Sequence, residues 1–354
     1  MVDNRRMPSN SDALRVGVVG CGAFGRNHAR VYRELQADPS EKVQFVGVAD
    51  LDYGRAQMVA KEFGTKALRS ADELIAAGVQ AASVAVPTVS HLEVARQLMA
   101  GGVDVLIEKP LATTVAEADE LIDVAERHGR VAQAGHLERF NPAVRATVPL
   151  LTQPMFFEVH RLSVFTPRSL DVDVILDLMI HDLDVVLSFV KSPVKEIRAV
   201  GLPILSPKVD IANVRMEFES GCVANFTASR VSTERIRKLR FFQPRQYVSV
   251  DYSRQDVLVL TVDQLPSQEG GFDPFNPANV AASAFPAITP FKPKVEPQEP
   301  LRAELGSFLK AVRGRSTPEV TLDDGRRALA AAMEIVDTIA EHSLRANLMQ
   351  LTRG

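Results

Sequence analysis

Five short apolar runs in the first third of the chain are continuous rather than alternating: "RVGVVG" (15–20), "QFVGVAD" (44–50), "AASVAV" (81–86), "VDVLIE" (103–108) and "RVAQAG" (130–135). Runs of this kind predict strands of a parallel sheet covered on both faces. Between them, helix-length patterns fall near 25–36, 53–63, 90–100 and 114–128, the last opened by a capping box of Thr113, Thr114 and Glu117. Strict alternation of strand and helix predicts a doubly wound α/β domain.

From about residue 155 the rhythm changes. Seven apolar–polar segments follow one another: "MFFEVHRLSVF", "EIRAVGL", "NVRMEFE", "CVANFTAS", "KLRFF", "QYVSVDY" and "DVLVLTV". A single helical stretch at 171–190 interrupts them, which predicts an α+β domain with an open, mostly antiparallel sheet. Residues 264–300 carry eight prolines and no clear period, so an extended irregular insertion is expected there. Two helices, near 301–313 and 323–345, close the chain. The expected division is a dinucleotide-binding domain over 12–137 and a second domain over 138–354.

Composition narrows the function classes. Of 354 residues, 46% are hydrophobic and 24% charged, and the net charge is −3. That balance argues against a general binder of nucleic acid or of anionic membranes. No stretch approaches the roughly 20 apolar residues needed to span a bilayer, and "MVDNRRMPSNSDALR" offers no apolar targeting run. Cys21 and Cys222 lie far apart without metal-spaced partners, so neither a disulfide framework nor a metal site is expected. These features read as a cytoplasmic protein.

The chemistry begins at "GVVGCGAFGRNHARVY" (17–32), where Gly20, Gly22 and Gly25 fall in the spacing G-x-G-x-x-G between the first strand and first helix. In that context the first glycine permits a tight turn, the second close backbone approach to a pyrophosphate, and the third helix–strand packing. Phosphates then rest on the N–H groups at the helix start, around Ala23 and Phe24. The second strand ends at Asp50, placed to bind the adenosine ribose and to disfavour a 2′-phosphate, which favours NAD. Arg55 lies close by and leaves NADP open.

"IEKP" places Glu108 and Lys109 directly after a parallel strand, the end of the sheet where ligands bind. Lys109 there either contacts a substrate hydroxyl or is a solvated strand-end lysine. In "DVDVILDLMIHDLDVVLSFV" (171–190), Asp173, Asp177, His181 and Asp184 fall on one stripe of an otherwise apolar α-helix. The stripe lines a polar cleft or faces water, and Asp177 stands one turn before His181, where a carboxylate orients an imidazole. "GHLERFNP" (135–142) sits at the expected domain junction. Its Arg139 and Asn141 either bind a ligand between the domains or tie the domains together. Arg161 and Arg168 are either a diphosphate clamp or surface charges.

Taken together, "VGVVGCGAFGRNH", "VADLD", "VPTVSH" (86–91), "EKP" (108–110), the D-x-x-x-H-x-x-D of Asp177, His181 and Asp184, and "EPLRAELGSFLKAVRG" resemble the glucose–fructose oxidoreductase / inositol dehydrogenase / rhizopine catabolism (Gfo/Idh/MocA) family over almost the whole chain. The resemblance implies an N-terminal Rossmann domain binding NAD (or NADP) and a second domain whose open sheet carries substrate and pairs subunits into homo-oligomers. It implies that Lys109, Asp177 and His181 surround the reacting carbon and that Pro87, Thr88 and His91 line the nicotinamide side. "GHLERFNPAVR" and "DLMIHDLDVV" are most similar to family members that oxidise the 3-hydroxyl of UDP-N-acetylglucosamine, which implies a nucleotide-linked sugar substrate. His181 is then the base with Lys109 polarising the oxygen, or the roles are reversed. Oxidation of another sugar or inositol, and a non-catalytic dinucleotide sensor, are the alternatives.

Overall fold

The computed structural model describes residues 13–166, 172–262 and 288–346. The chain divides into two compact units, Met1–Phe140 with Gln298–Ala331, and Asn141–Pro297 with Ala332–Gly354.

The first unit is built on six parallel strands: β1 (Leu14–Val19), β2 (Val43–Ala49), β3 (Lys66–Leu68), β4 (Ala81–Val84), β5 (Asp104–Glu108) and β6 (Ala132–Gly135). Their order, β3-β2-β1-β4-β5-β6, is that of a doubly wound Rossmann sheet. The helices between them are α1 (Ala23–Ala37), α2 (Tyr53–Phe63), α3 (Ala71–Ala76), α4 (His91–Ala100) and α5 (Val115–Arg127). The capping box at α5 forms as its spacing predicts. Thr114 Oγ1 accepts the Glu117 N–H at 3.1 Å, and the Glu117 carboxylate accepts the Thr113 N–H at 2.9 Å.

α1 buries Gly25, His28, Ala29, Tyr32 and Leu35, one face at helical spacing. That face belongs to a core shared with β1, β2 and a helix from late in the chain, α8 (Pro300–Gly314), through Leu305, Phe308, Leu309 and Val312. The start of α9 (Leu322–Arg345) also joins this unit. Two elements carry no periodic signal in the sequence, β3 and α3. At three and six residues they are too short to show a period. α3 is instead fixed locally, with Ser70 Oγ accepting the Glu73 N–H and Glu73 accepting the Arg69 N–H.

The second unit carries eight strands in the order β14-β13-β12-β11-β7-β10-β9-β8. They are β7 (Phe156–Val164), β8 (Val194–Leu202), β9 (Ile211–Phe218), β10 (Val223–Ser232), β11 (Ile236–Gln243), β12 (Gln246–Asp251), β13 (Asp256–Val262) and β14 (Ile288–Phe291). Neighbours are antiparallel except β7 and β10. One face buries Phe157, Val159, Val214, Met216, Phe226 and Phe241, and the alternate positions stay open. α7 (Ile180–Phe189) lies on the buried face, its Phe189 ring 6.4 Å from Phe157 and 6.2 Å from Phe241. The short α6 (Pro142–Thr147) completes the unit's described helices before α9 returns.

β14 is a correction. Ile288–Phe291 falls inside the stretch expected to be irregular, yet pairs with Val259–Val262 of β13. Proline lacks an N–H, but Pro290 sits on a strand at the edge of the sheet, where a ladder tolerates it. Residues 264–287 of that stretch lie outside the described residues.

Candidate active site

The glycine turn is shaped by steric necessity. Gly20 has φ +94°, and a Cβ there would meet the Ala85 carbonyl oxygen at 2.4 Å. A Cβ on Gly25 would lie 1.7 Å from the Gly20 carbonyl oxygen. Gly22 differs: it caps α1, and a Cβ there would meet nothing within 4 Å. The first turn of α1 carries no acidic residue, and Ala23 and Phe24 stand exposed on it. The turn therefore presents open space, bare N–H groups and the positive end of a helix dipole, a fit for a pyrophosphate.

Asp50 follows β2, and both its carboxylate oxygens are already anchored. One accepts the Cys21 N–H at 2.7 Å and the other the Asp52 N–H at 2.8 Å. Arg55 stands 3.8 Å away. A carboxylate has about four acceptor positions, so each oxygen keeps one for a ribose hydroxyl. The neighbouring Cys21 thiol is pushed up to about 12 by burial and by the Asp50 charge, and stays protonated.

Pro87 and Thr88 lie on the loop that follows β4, exposed and half-buried respectively. His91 does not point into open space. Its Nδ1 faces the carbonyls of Pro110 and Leu111 at 3.0 and 3.2 Å, and its Nε2 faces the Val86 carbonyl at 3.0 Å. Burial pushes this imidazole down from its ordinary pKa. His91 is a post joining the Val86 and Pro110 loops, and acts on a ligand only through them.

At the end of β5, Glu108 and Lys109 are half-buried. Glu108 Oε1 lies 2.8 Å from His28 Nε2 on α1, and Oε2 accepts the Lys109 N–H at 3.3 Å. Burial alone would raise the Glu108 carboxyl, but the His28 hydrogen bond and the charges of His28 and Lys109 outweigh it and hold the group below the usual carboxylate range. His28 was not among the residues singled out from the sequence. Its signal was available: it stands three after Gly25, on the buried face of α1.

In the second unit, Asp177 and His181 are half-buried, but the stripe predicted around them is broken. Ile175–Met179 form a π-helical turn that runs directly into α7. A π turn inserts one residue and rotates the downstream residues by about 100°. Asp184 is buried, 2% exposed, and Asp173 accepts the Val209 N–H at 2.8 Å.

Three further residues find partners inside their own units. Arg161 is buried on β7 and grips Asp182 of α7 through Nε (2.6 Å) and Nη2 (2.8 Å), so its guanidinium is a fold-internal partner, not a diphosphate clamp. Asn141 caps α6 by accepting the Ala143 N–H and donates to the Tyr252 carbonyl at 3.0 Å, which makes it a structural residue of the second unit. Arg139 reaches the Glu319 carbonyl at 3.4 Å within the first unit. Arg168 lies outside the described residues. Among the described residues no group of three or more His, Cys, Asp or Glu is placed to hold a metal ion, and no helix is long and apolar enough to cross a membrane.

A parallel sheet in this order, with a glycine turn and an anchored acid at its carboxyl ends, defines a dinucleotide-binding protein of the Rossmann class. Residues 14–136 match the model described as "Oxidoreductase family, NAD-binding Rossmann fold", and 153–245 match "GFO/IDH/MocA C-terminal domain". The chain belongs to the Gfo/Idh/MocA family of NAD-binding oxidoreductases. It is 35% identical over 323 residues to UDP-N-acetylglucosamine 3-dehydrogenase of Acidithiobacillus ferrooxidans, covering 91% of this chain and 96% of the relative. A solved structure of that protein aligns with a TM-score of 0.80 at 34% identity, over 92% of this chain and 98% of the other. Inositol 2-dehydrogenase 1 of Saccharopolyspora erythraea is 34% identical over 187 residues, 49% of this chain and 53% of the relative.

Proposed function

We propose that the protein oxidises the 3-hydroxyl of UDP-N-acetylglucosamine to a ketone with NAD. One observation carries the substrate reading. The likeness to the UDP-N-acetylglucosamine 3-dehydrogenase runs through both units, whereas the likeness to the inositol dehydrogenase covers about half of the chain.

Gly20, Gly22, Gly25 and the start of α1 hold the dinucleotide's phosphates, and Asp50 holds a ribose. When bound, NAD supplies the hydride acceptor. His181 removes the hydroxyl proton, steadied by Asp177, and Lys109 polarises the oxygen from which it leaves. We further propose that the open face of the eight-stranded sheet pairs two copies of the chain, and that the enzyme works in the cytoplasm, where nucleotide sugars and NAD occur together.

The test is NADH formation with UDP-N-acetylglucosamine against free N-acetylglucosamine and myo-inositol, with a ketone trap to draw the reaction forward. Turnover confined to the nucleotide sugar, and lost by at least ~10²-fold in Lys109→Ala and His181→Ala, is the expected result. Turnover of inositol or of the free sugar at equal rate would overturn the substrate reading.

A further inference from the structure

The segment that carries Asp177 and His181 is fastened at both ends. Upstream, the fastening point is Val209, in the connection between β8 and β9. Its N–H donates to Asp173 Oδ1 at 2.8 Å, and its carbonyl accepts the Val174 N–H at 2.9 Å. Arg230 of β10 backs this contact, with Nη2 donating to the carbonyls of both Val172 and Val209. Arg230 is itself held by Asp210. Its backbone N–H donates to the Asp210 carbonyl at 2.9 Å, and its Nε stands 3.4 Å from the Asp210 carboxylate. Downstream, Arg161 of β7 grips Asp182, the residue after His181.

Asp173 stands just before the first helical residue, and its carbonyl accepts the Asp177 N–H at 3.0 Å. An aspartate in that place ordinarily turns its side chain back onto the first N–H groups of its own helix. Here the carboxylate reaches Val209 instead, 36 residues along the chain. The acid therefore ties the start of the segment to the sheet. Between the two fastenings lies the π turn, Ile175–Met179, with Asp177 at its centre. A π turn holds one residue more than an α turn, and such turns occur frequently at functional sites.

We propose that Asp173 is a positioning residue: through Val209 it fixes where the π turn begins, and so where Asp177 stands relative to His181. The proposal rests on the reading above only in giving Asp177 and His181 their part in the chemistry. Released upstream, the segment is free to rewind as α-helix. That turns Asp177 by about 100° against His181, which stays held through Asp182.

The experiment compares Asp173→Ala, Val209→Pro and Asp173→Asn in the full-length protein. Alanine removes the acceptor, and proline removes the N–H that it accepts. Asparagine loses the charge but keeps the Oδ1 acceptor. With UDP-N-acetylglucosamine, the alanine and proline variants are expected to lose kcat by roughly 10- to 100-fold, the cost of misplacing a reacting group by about 1 Å. KM should change by less than about twofold, as for an interaction that serves the transition state. Asp173→Asn is expected to keep both values. A second readout needs no turnover: the His181 ring signal in NMR spectra of protein carrying isotope-labelled histidine, assigned by its loss in His181→Gln. It is expected to move in the alanine and proline variants and to stay in place in Asp173→Asn, while the signals of the other histidines stay in all three. A clamp that serves stability alone lowers the melting temperature and leaves kcat and the His181 signal at wild-type values; that result overturns the proposal. Equal loss in Asp173→Asn and Asp173→Ala overturns it too, since the charge and not the hydrogen bond would then be what matters. If the wild type fails to oxidise the sugar, the substrate reading alone falls, and the His181 signal decides this inference.

Discussion

Asp50 and Cys21 are joined across 2.7 Å, the backbone N–H beside the first glycine donating to the carboxylate at the end of β2. Asp50 and the glycine turn are therefore one hydrogen-bonded unit. Asp50→Ala removes an acceptor that a ribose would use and loosens the turn as well. NAD affinity should fall roughly 10- to 100-fold, the worth of a charged hydrogen bond. With Arg55 freed from the carboxylate, the NAD-to-NADP preference should narrow. Fluorescence titration with both dinucleotides measures each quantity.

The glycines of the turn separate folding from binding. Gly25→Ala forces a Cβ against the Gly20 carbonyl. The turn has to open, and both the thermal midpoint and NAD binding should be lost. Gly22→Ala meets no protein atom. At a helix cap the exchange costs at most about 1 kcal/mol. Its melting temperature should therefore stay close to wild type while NAD affinity drops at least ~10-fold, because the new methyl occupies the space the phosphates need. Calorimetric melting alongside dinucleotide titration reads the contrast.

Arg161 and Asp182 form a bidentate pair with both side chains about 3% exposed or less. Removing either partner strands a buried charge, so Arg161→Ala or Asp182→Ala should cost about 3–5 kcal/mol in urea unfolding. Replacing both with leucine should cost less than either single change. That ordering would not arise if Arg161 served mainly to hold a substrate diphosphate.

Asp210 is fully buried and accepts the N–H groups of Ile204, Leu205 and Ser206 at 2.6–2.9 Å. Burial pushes its carboxyl up, but these hydrogen bonds outweigh burial and hold it below the usual value. A carboxyl depressed in the fold contributes stability that is present above its unfolded pKa, about 3.9, and is lost as pH falls through the folded value. Stability of the wild type should therefore decline on acidification below about pH 4. Asp210→Asn should lower stability at pH 7 by about 2–3 kcal/mol and flatten the acid decline. Urea midpoints between pH 3 and 7 test both statements.

Much of this was legible along the chain because the deciding interactions are local. β1, β2, β4, β5 and β6 announce themselves as unbroken apolar runs, since a parallel sheet covered on both faces leaves them no solvent side. Gly20 is required by its positive φ and Gly25 by the Gly20 carbonyl five residues before it, and Asp50 stands out by its place at a strand end. Thr114 and Glu117 cap a helix three residues apart. Each of these constraints is written in sequence spacing, which is why the NAD-binding half reads directly.

Tertiary structure decided the partnerships between residues far apart. α8 returns after nearly 160 residues to cover the sheet that the first 140 residues build, because Leu305, Phe308 and Leu309 find their apolar partners there. Arg161 reads as a free cation until Asp182 is seen against it, and His91 as a ligand contact until three carbonyls surround its ring. The π turn at Ile175–Met179 shifts His181 and Asp184 together against Asp173, off the register that α-helical spacing drew through all of them. His28 and Glu108, 80 residues apart, meet at 2.8 Å. A side chain's chemistry is set by its neighbours, and folding, not sequence proximity, chooses those.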